Sequence, residues 1–398
     1  MEKKRIVLGI TGGIAAYKCA ELVRLFVKEG VDVTCMMTEH AKQFITPMTL
    51  GILSKNQVWD DDAFMHTYTK PVHIELGQRY DAVVIAPATG NIMAKAANGF
   101  ADDLVSSVLL AASVPVLYAP AMNEEMWRKE ATQENVRRLM ERGSVMIGPA
   151  DGDLACGVAG TGRMSEPKEI FERVMNTLGR NGDAKNMKFL VTAGPTREYI
   201  DPVRFISNRS SGRMGYEIAR AALHEGAQVT LITGPASIEP PIGAKVIRVE
   251  TTEEMLEAAL KEFDDTDILF KAAAPADYKP REQFEQKLHK KDNIAIEMAS
   301  TPDVVGTLGK TKTHQFIVGF AAETFDGVEH AREKIDRKNL DMIVLNDVTQ
   351  PGAGFDVPTN IVTVITEDDM EEWPLMTKKD VAEKLVKMAI EKAKESKA

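Results

Sequence analysis

The chain has 398 residues, 44% of them apolar and 27% charged, which is long enough for two domains with a core each. Lys plus Arg total 49 against 59 for Asp plus Glu, a net charge of −10, so no cationic excess is available to displace the counterions of a nucleic-acid backbone. The three cysteines, Cys19, Cys35 and Cys156, are too few and odd in number for a disulfide framework and predict a reducing, cytoplasmic setting.

Arg5 to Ile10 reads as a first strand, and Thr11-Gly12-Gly13-Ile14 turns it into a helix with apolar positions Ala15, Cys19, Leu22, Val23, Phe26 and Val27. The basic N-terminus has too short an apolar run for a signal peptide. Glycines at that turn let backbone N–H groups approach an anion. The loop lacks the G-x-G-x-x-G dinucleotide pattern, so a mononucleotide such as flavin mononucleotide suits it better, a ligand-free tight turn being the alternative.

A second strand, Val31 to Met37, ends at Thr38, and Thr46 to Lys70 reads as irregular. His73 follows in VHIELGQ, where a structural histidine competes with a catalytic one. The strand Ala82 to Ala86 runs into Ala88, Thr89, Gly90 and Asn91, small residues suited to a flat ligand at a strand's carboxyl end. Leu104 to Met122 holds Ser106, Ser107, Ser113 and Pro115, so it reads as a buried helix and a strand, not a membrane span. It ends in PAMN, which puts Asn123 on the rim. Val145 to Ile147 is one more strand. Gly152, Gly157, Gly160 and Gly162 then surround Cys156, a candidate proton donor or nucleophile on a flap, or an incidental thiol in a glycine-rich loop.

A polar junction, Asn176 to Lys188, puts a domain boundary near 186. At Lys188 the plan restarts: the strand Phe189 to Val191, a break at Gly194-Pro195, a loop carrying Asn208 and SSGRMG, a helix closed by Gly226, and the strand Val229 to Ile232. Strands near Val246 to Val249 and Ile268 to Lys271 follow. The second leads into KAAAPADY, so Asp277 sits where it can ligate a magnesium ion carried by a nucleotide triphosphate. KLHKK, residues 287 to 291, is either a solvated face or a cluster that neutralises phosphates. The strands Phe316 to Phe320 and Asp341 to Leu345 flank a helix with Lys334 and Lys338 on one face. The strand Ile361 to Thr366 and a charged helix, Lys378 to Lys394, close the chain.

In combination, TGGIAAYK, HIEL, APATGN, PAMN, ACGVAGTGRM, TAGPTREYIDPVRFISNRSSG, KAAAPADY, GFAAET and NLDMIVLNDV resemble the bifunctional coenzyme A biosynthesis proteins. In these, phosphopantothenoylcysteine decarboxylase is fused to phosphopantothenate–cysteine ligase. The resemblance implies an α/β chain of two Rossmann-like domains. Residues 1–186 would form a flavodoxin-like flavoprotein domain that decarboxylates 4'-phosphopantothenoylcysteine with FMN. Residues 187–398 would join cysteine to 4'-phosphopantothenate through an acyl-cytidylate made from CTP with Mg2+. It further implies that His73, Asn123 and Cys156 act in decarboxylation, Asn123 holding the substrate carboxylate and Cys156 donating a proton, with FMN held at Gly12, Gly13, Ile14, Thr38, Ala88, Thr89 and Asn91. In the ligase, Asn208 is tied to the intermediate and Lys287 acts on it. The nucleotide meets Ala273, Asp277, Lys287, Pro302, Asp303, Val304, Val305, Phe320, Lys334 and Lys338. Small-molecule substrates, no nucleic acid, no membrane, and a homo-oligomer with trimeric decarboxylase and dimeric ligase contacts complete the expectation.

Two positions depart from the family pattern. Lys287-Leu288-His289-Lys290 stands for K-I-K-K, and Arg213 replaces the lysine of S-S-G-K-M-G; both keep a cation, His289 only part of the time near neutrality. A nicotinamide oxidoreductase is the rival enzyme class and lacks its fingerprint. A non-catalytic role, as in relatives that inhibit phosphatases, would not need His73 and Cys156 beside a ligase half.

Overall fold

The computed structural model describes residues 3–67, 71–153, 159–289, 295–323, 327–347, 352, 354 and 357–396. The chain divides into two compact units, Met1–Leu178 and Gly179–Ala398. The boundary expected near 186 falls in the segment between the helix Pro167–Gly179 and the strand Lys188–Ala193. Among the described residues no helix is long and apolar enough to cross a membrane.

The first unit is built on a five-stranded parallel sheet, ordered Asp32–Met37, Arg5–Ile10, Ala82–Ala88, Val116–Pro120, Val145–Met146. Its two central strands are apolar from Ile6 to Ile10 and from Ala82 to Ala88, the composition of a sheet covered on both faces. On one face the helix Cys19–Lys28 lays Cys19, Leu22, Val23 and Phe26 on the sheet at helical spacing, and Phe26 meets Phe171 at 5.3 Å between ring centroids. On the other, Val72, Leu76, Ile92, Met93 and Val105 cover Val7, Val83 and Ile85. Cys19 and Cys35 are inert core residues: burial pushes the Cys35 thiol up to about 12 and drives Cys19 higher still, and the Cys19 thiol donates to the Ala86 carbonyl at 2.9 Å.

The stretch expected to be irregular, Thr46 to Lys70, carries two helices in its described part, Pro47–Ser54 and Asp61–Met65. Each starts at a local cap, Thr46 accepting from the Thr49 N–H and Asp60 from the Ala63 N–H. Between them Trp59, 9% exposed, exchanges backbone hydrogen bonds with Cys35 and Met37 and so extends the sheet edge. Capping and one buried aromatic order a segment that has no hydrophobic period.

The second unit carries an eight-stranded sheet. Lys245–Arg248, Gln228–Thr233, Lys188–Ala193, Ile268–Lys271, Phe316–Glu323 and Met342–Asp347 run parallel, and Thr359–Ile365 and Met370–Thr377 add on antiparallel. The last strand was not anticipated from the sequence. Glu371, Glu372 and Pro374 break its apolar pattern, as suits an edge, and only Trp373 is buried. The terminal helix, expected as a charged one, is amphipathic: Val381, Leu385, Val386, Ala389 and Ile390 pack with Ile218, Ala219, Ala222 and Leu223 of the helix Arg213–His224.

Gly215 sets how closely that second helix approaches the sheet. A Cβ there would stand 2.6 Å from the Ala193 Cβ and 3.0 Å from the Thr192 carbonyl oxygen, atoms of a central strand that cannot move aside. Alanine gains about 1 kcal/mol of helix propensity but costs about 1–3 kcal/mol in overpacking. Gly215→Ala is therefore expected to destabilise the second unit, read as a lower urea midpoint for the transition that exposes Trp373. An unchanged or higher midpoint would show that the contact relaxes.

Candidate functional site

Both sheets have a point at which strand order reverses, and loops on either side of such a point diverge and leave a crevice at the strands' carboxyl ends. In the first unit this point lies between Arg5–Ile10 and Ala82–Ala88. A cleft of about 1240 Å³ opens there, lined by Thr11, Gly12, Gly13, Ile14, Thr38, Thr89, Asn91, Met122 and Asn123 among others. The backbone at Gly12 is pressed against His40, leaving no room for a side chain. The Thr11 hydroxyl donates to the Pro87 carbonyl at 2.7 Å and ties the two switch-point loops together. Thr89 caps the helix Gly90–Asn98. The Asn123 side chain accepts from the Glu125 N–H at 2.9 Å, and the neighbouring Met122 N–H donates to the Gly162 carbonyl, which joins the rim to the strand Ala159–Arg163.

The buried Thr38 hydroxyl has no hydrogen-bond partner among the described residues although it lines this cleft. Orphaned buried polar atoms are rare, so a bound molecule is the natural partner. Of the expected cofactor residues, Gly12, Gly13, Ile14, Thr38, Thr89 and Asn91 meet here. Ala88 does not. It is fully buried at its strand end, where its carbonyl accepts from the Ala121 N–H.

His73 is not among the residues that line the cleft. It sits half-buried in the helix Val72–Gln78, edge-on to Phe64 at 5.6 Å, and its buried Nδ1 has no partner among the described residues. Cys156 lies outside the described residues.

Three cations of the cleft were not singled out by the sequence. Lys18 and Arg163 share the Glu166 carboxylate at 2.9 and 2.6 Å, and Lys18 first among them holds that carboxyl below its usual range. Lys95 pairs with Asp102 and Asp103. Their signal was present, since Lys18 stands in TGGIAAYK and Arg163 in TGRM, but nothing local told these from ordinary surface charges.

In the second unit the switch point lies between Lys188–Ala193 and Ile268–Lys271, and a pocket of about 560 Å³ occupies it. It brings together Asn208, Ala273, Asp277, Pro302, Asp303, Val304, Phe320 and Lys338. The Asn208 amide donates to the Pro275 carbonyl at 2.9 Å. The Ala276 N–H donates to the Thr196 hydroxyl at 3.0 Å, and the Thr301 N–H to the Asp277 carbonyl at 3.0 Å, which fixes the Ala273–Asp277 turn. Asp303 caps the helix Val304–Thr311 and pairs with Lys338 at 2.9 Å. Burial works to raise its carboxyl, but Lys338 and the Gly306 N–H outweigh that and hold it below the usual range.

Three expected residues do not line this pocket. Val305 is buried in the same hydrophobic core as Val304 but does not reach the pocket lining. Lys334 lies a turn before Lys338 on their helix. Lys287 is exposed on a loop tied down beside it: the Leu288 N–H donates to the buried Asp201 carboxylate at 3.2 Å, Arg204 donates to the Leu288 carbonyl, and the Phe284 N–H donates to the Ile200 carbonyl. Lys271, Lys378, Asn346 and Asn360 line the pocket and were not named as site residues from the sequence.

No group of three or more His, Cys, Asp or Glu side chains able to hold a metal occurs among the described residues. Asp277 is exposed at the pocket, and Asp303 is engaged by Lys338. A magnesium ion is often held by one or two carboxylates together with substrate phosphates, and a single free carboxylate fits that mode and not a self-contained metal site.

A family model described as "Flavoprotein" matches residues 1–179, and one described as "DNA/pantothenate metabolism flavoprotein C-terminal domain" matches residues 184–392. The chain is 44% identical over 383 residues to the coenzyme A biosynthesis bifunctional protein CoaBC of Vibrio cholerae, covering 95% of this chain and 96% of that one. It is 42% identical over 387 residues to the protein of the same name from Bacillus subtilis, covering 96% and 95%. A crystal structure of the C-terminal domain of a CoaBC protein is 40% identical, covers 54% of this chain and 99% of that one, and superposes with a TM-score of 0.47.

Proposed function

Since the chain belongs to the family of coenzyme A biosynthesis bifunctional proteins, a decarboxylase joined to a ligase, we propose how its two units divide the work. Residues 187–398 join cysteine to 4'-phosphopantothenate, and residues 1–186 decarboxylate the product to 4'-phosphopantetheine. The observation that carries this reading is that each sheet gathers most of the expected binding residues at its own switch point.

In the first unit, Gly12, Gly13, Ile14, Thr89 and Asn91 hold flavin mononucleotide, and the orphaned Thr38 hydroxyl gains its partner from it. When bound, this cofactor supplies a two-electron acceptor that returns the same electrons, which is why a reaction without net redox change employs it. Asn123 holds the substrate carboxylate on the rim. Cys156 delivers a proton to the carbon that has lost carbon dioxide, and His73 accepts a proton during the reaction. His73 does not line its own cleft, so it acts in the cleft of a neighbouring copy. Ile14, Tyr17, Met48 and Ile52, exposed at 59, 60, 74 and 71%, supply apolar surface for such an assembly. Decarboxylase contacts are trimeric and ligase contacts dimeric in this reading, and the protein is cytoplasmic.

In the second unit the pantothenate carboxylate displaces pyrophosphate from CTP to give an acyl-cytidylate, and the cysteine amine then displaces CMP. Asp277 holds Mg2+ against the phosphates. Lys338 and Lys287 neutralise the charge that moves onto them. Asn208, fixed by the Pro275 carbonyl, keeps the intermediate against the turn. The test supplies phosphopantothenate, cysteine and each nucleoside triphosphate in turn to a yellow, flavin-loaded protein. Phosphopantetheine and carbon dioxide are expected with CTP. Equal yields with ATP would overturn the cytidylate, and no product with any triphosphate would overturn the ligase assignment.

A further inference from the structure

We propose that Lys271 grips the polyphosphate of the nucleotide in the second unit's pocket, as a cation additional to Lys338 and Lys287; this rests on the ligase reading of that unit. Lys271 is the last residue of the strand Ile268–Lys271, one of the two strands at the switch point. Its flanking strands carry Thr192 and Gly319 opposite it, neither of them charged. The side chain is half-buried and lines the pocket.

Its ammonium donates to the Ala273 carbonyl at 3.0 Å. That uses one of three donors. Among the described residues no carboxylate lies within ion-pairing distance of it, and Asp303, at the same pocket, is paired with Lys338. A recessed ammonium without a counter-ion is costly unless a ligand supplies one. A neutral donor would hold the Ala273 carbonyl at less cost, so that single bond does not account for a lysine here.

The charge around it points the same way. Among the described residues, Arg209, Arg213, Lys338 and Lys378 line the pocket with Lys271, against Asp277 and Asp303. Such an excess in a concave site favours a polyanion. A phosphate oxyanion can come from the nucleotide or from phosphopantothenate. The bond to Ala273 and the proximity of Asp303, Asp277, Lys338 and Lys334 place Lys271 with the nucleotide residues.

Burial first and the Lys338 ammonium second bring Lys271 down to about 8, with Lys334 adding to this and Asp303 and Asp277 pulling the other way. The ammonium therefore loses its charge as pH rises through that value, and a bound polyphosphate restores it. Nucleotide binding just above this pH is expected to take up part of a proton.

The test is calorimetric titration of magnesium–CTP into the full-length protein, just above pH 8, in two buffers of different ionisation enthalpy. Wild type is expected to take up a substantial fraction of a proton per CTP. Lys271→Met should abolish the uptake and raise the Kd and KM for CTP by roughly tenfold or more, with the KM for phosphopantothenate unchanged. Lys271→Arg should recover affinity without uptake, since arginine does not titrate. Proton-neutral binding by wild type overturns the proposal whether or not the variants fold. So does a rise in the phosphopantothenate KM alone, or wild-type behaviour of Lys271→Met. A wild type that binds and ligates normally in those cases leaves the ligase reading intact, whereas one that binds no triphosphate and forms no product overturns both.

Discussion

Replacing His73 by asparagine is expected to slow decarboxylation by about 10²–10⁴-fold, the usual worth of a positioned proton-transfer group, while CTP-dependent ligation by the same chain stays unchanged. The substitution suits the site. Asparagine keeps a polar group of similar reach where the imidazole stands edge-on to Phe64, but it cannot take up a proton. The Nδ1 that it replaces is buried and has no partner among the described residues, so the helix Val72–Gln78 should persist. Retention of the yellow colour separates a chemical defect from a lost cofactor. Because His73 does not line its own cleft, mixed assemblies offer a second reading. Combining His73→Asn chains with Cys156→Ser chains should restore part of the activity if the two residues act from neighbouring copies. Unimpaired decarboxylation by His73→Asn alone would refute the role.

Lys287→Gln is expected to lower ligation by about 10²–10³-fold, the cost of removing one preorganised group from developing charge, with the loss in the pyrophosphate-releasing step. Glutamine keeps a hydrogen-bond donor on a side chain one atom shorter and removes the cation. The backbone beside Lys287 is held by Asp201, Arg204 and Ile200, so the side chain starts from a fixed root and not from a free loop. That arrangement predicts a graded result. Asp201→Asn keeps an acceptor for the Leu288 N–H and should cost less than Lys287→Gln, whereas Asp201→Ala releases the root and should approach it. Rapid-quench measurement of pyrophosphate release reads the step directly. A Lys287→Gln protein with normal release would remove this lysine from the chemistry. The two variants are complementary, since each is predicted to spare the half-reaction that the other damages.

Much of the site was legible because its residues follow strands. A hydrophobic run that ends in small or hydroxyl residues marks a strand's carboxyl end, and Gly12, Gly13, Thr38, Thr89, Asn208, Ala273 and Asp277 were all read that way or through the motifs around them. Each of these lines one of the two crevices. Ala88 belongs to one of these motifs and Val305 follows the lining residue Val304, yet neither lines a crevice. One step along a strand or helix reverses or rotates the side chain, and a motif does not record on which side of that step the ligand lies. The helices within Thr46 to Lys70 and the edge strand Met370–Thr377 were missed for a related reason. Caps and a single buried tryptophan stabilise them, not a repeating apolar pattern.

The sequence by itself determined that there are two α/β units and which loops carry polar residues at strand ends. Those properties are local, set by side-chain period and by glycine and proline punctuation. Tertiary structure decided which loops meet. Every order of the same strands has the same periodicity, so the switch points beside Arg5–Ile10 and Lys188–Ala193 are invisible until the strands pair. Only the folded arrangement shows that His73 does not line the cleft of its own unit, that Thr38 has no partner among the described residues, and that Lys271, one lysine among many in the sequence, lines a pocket without a described carboxylate paired to it.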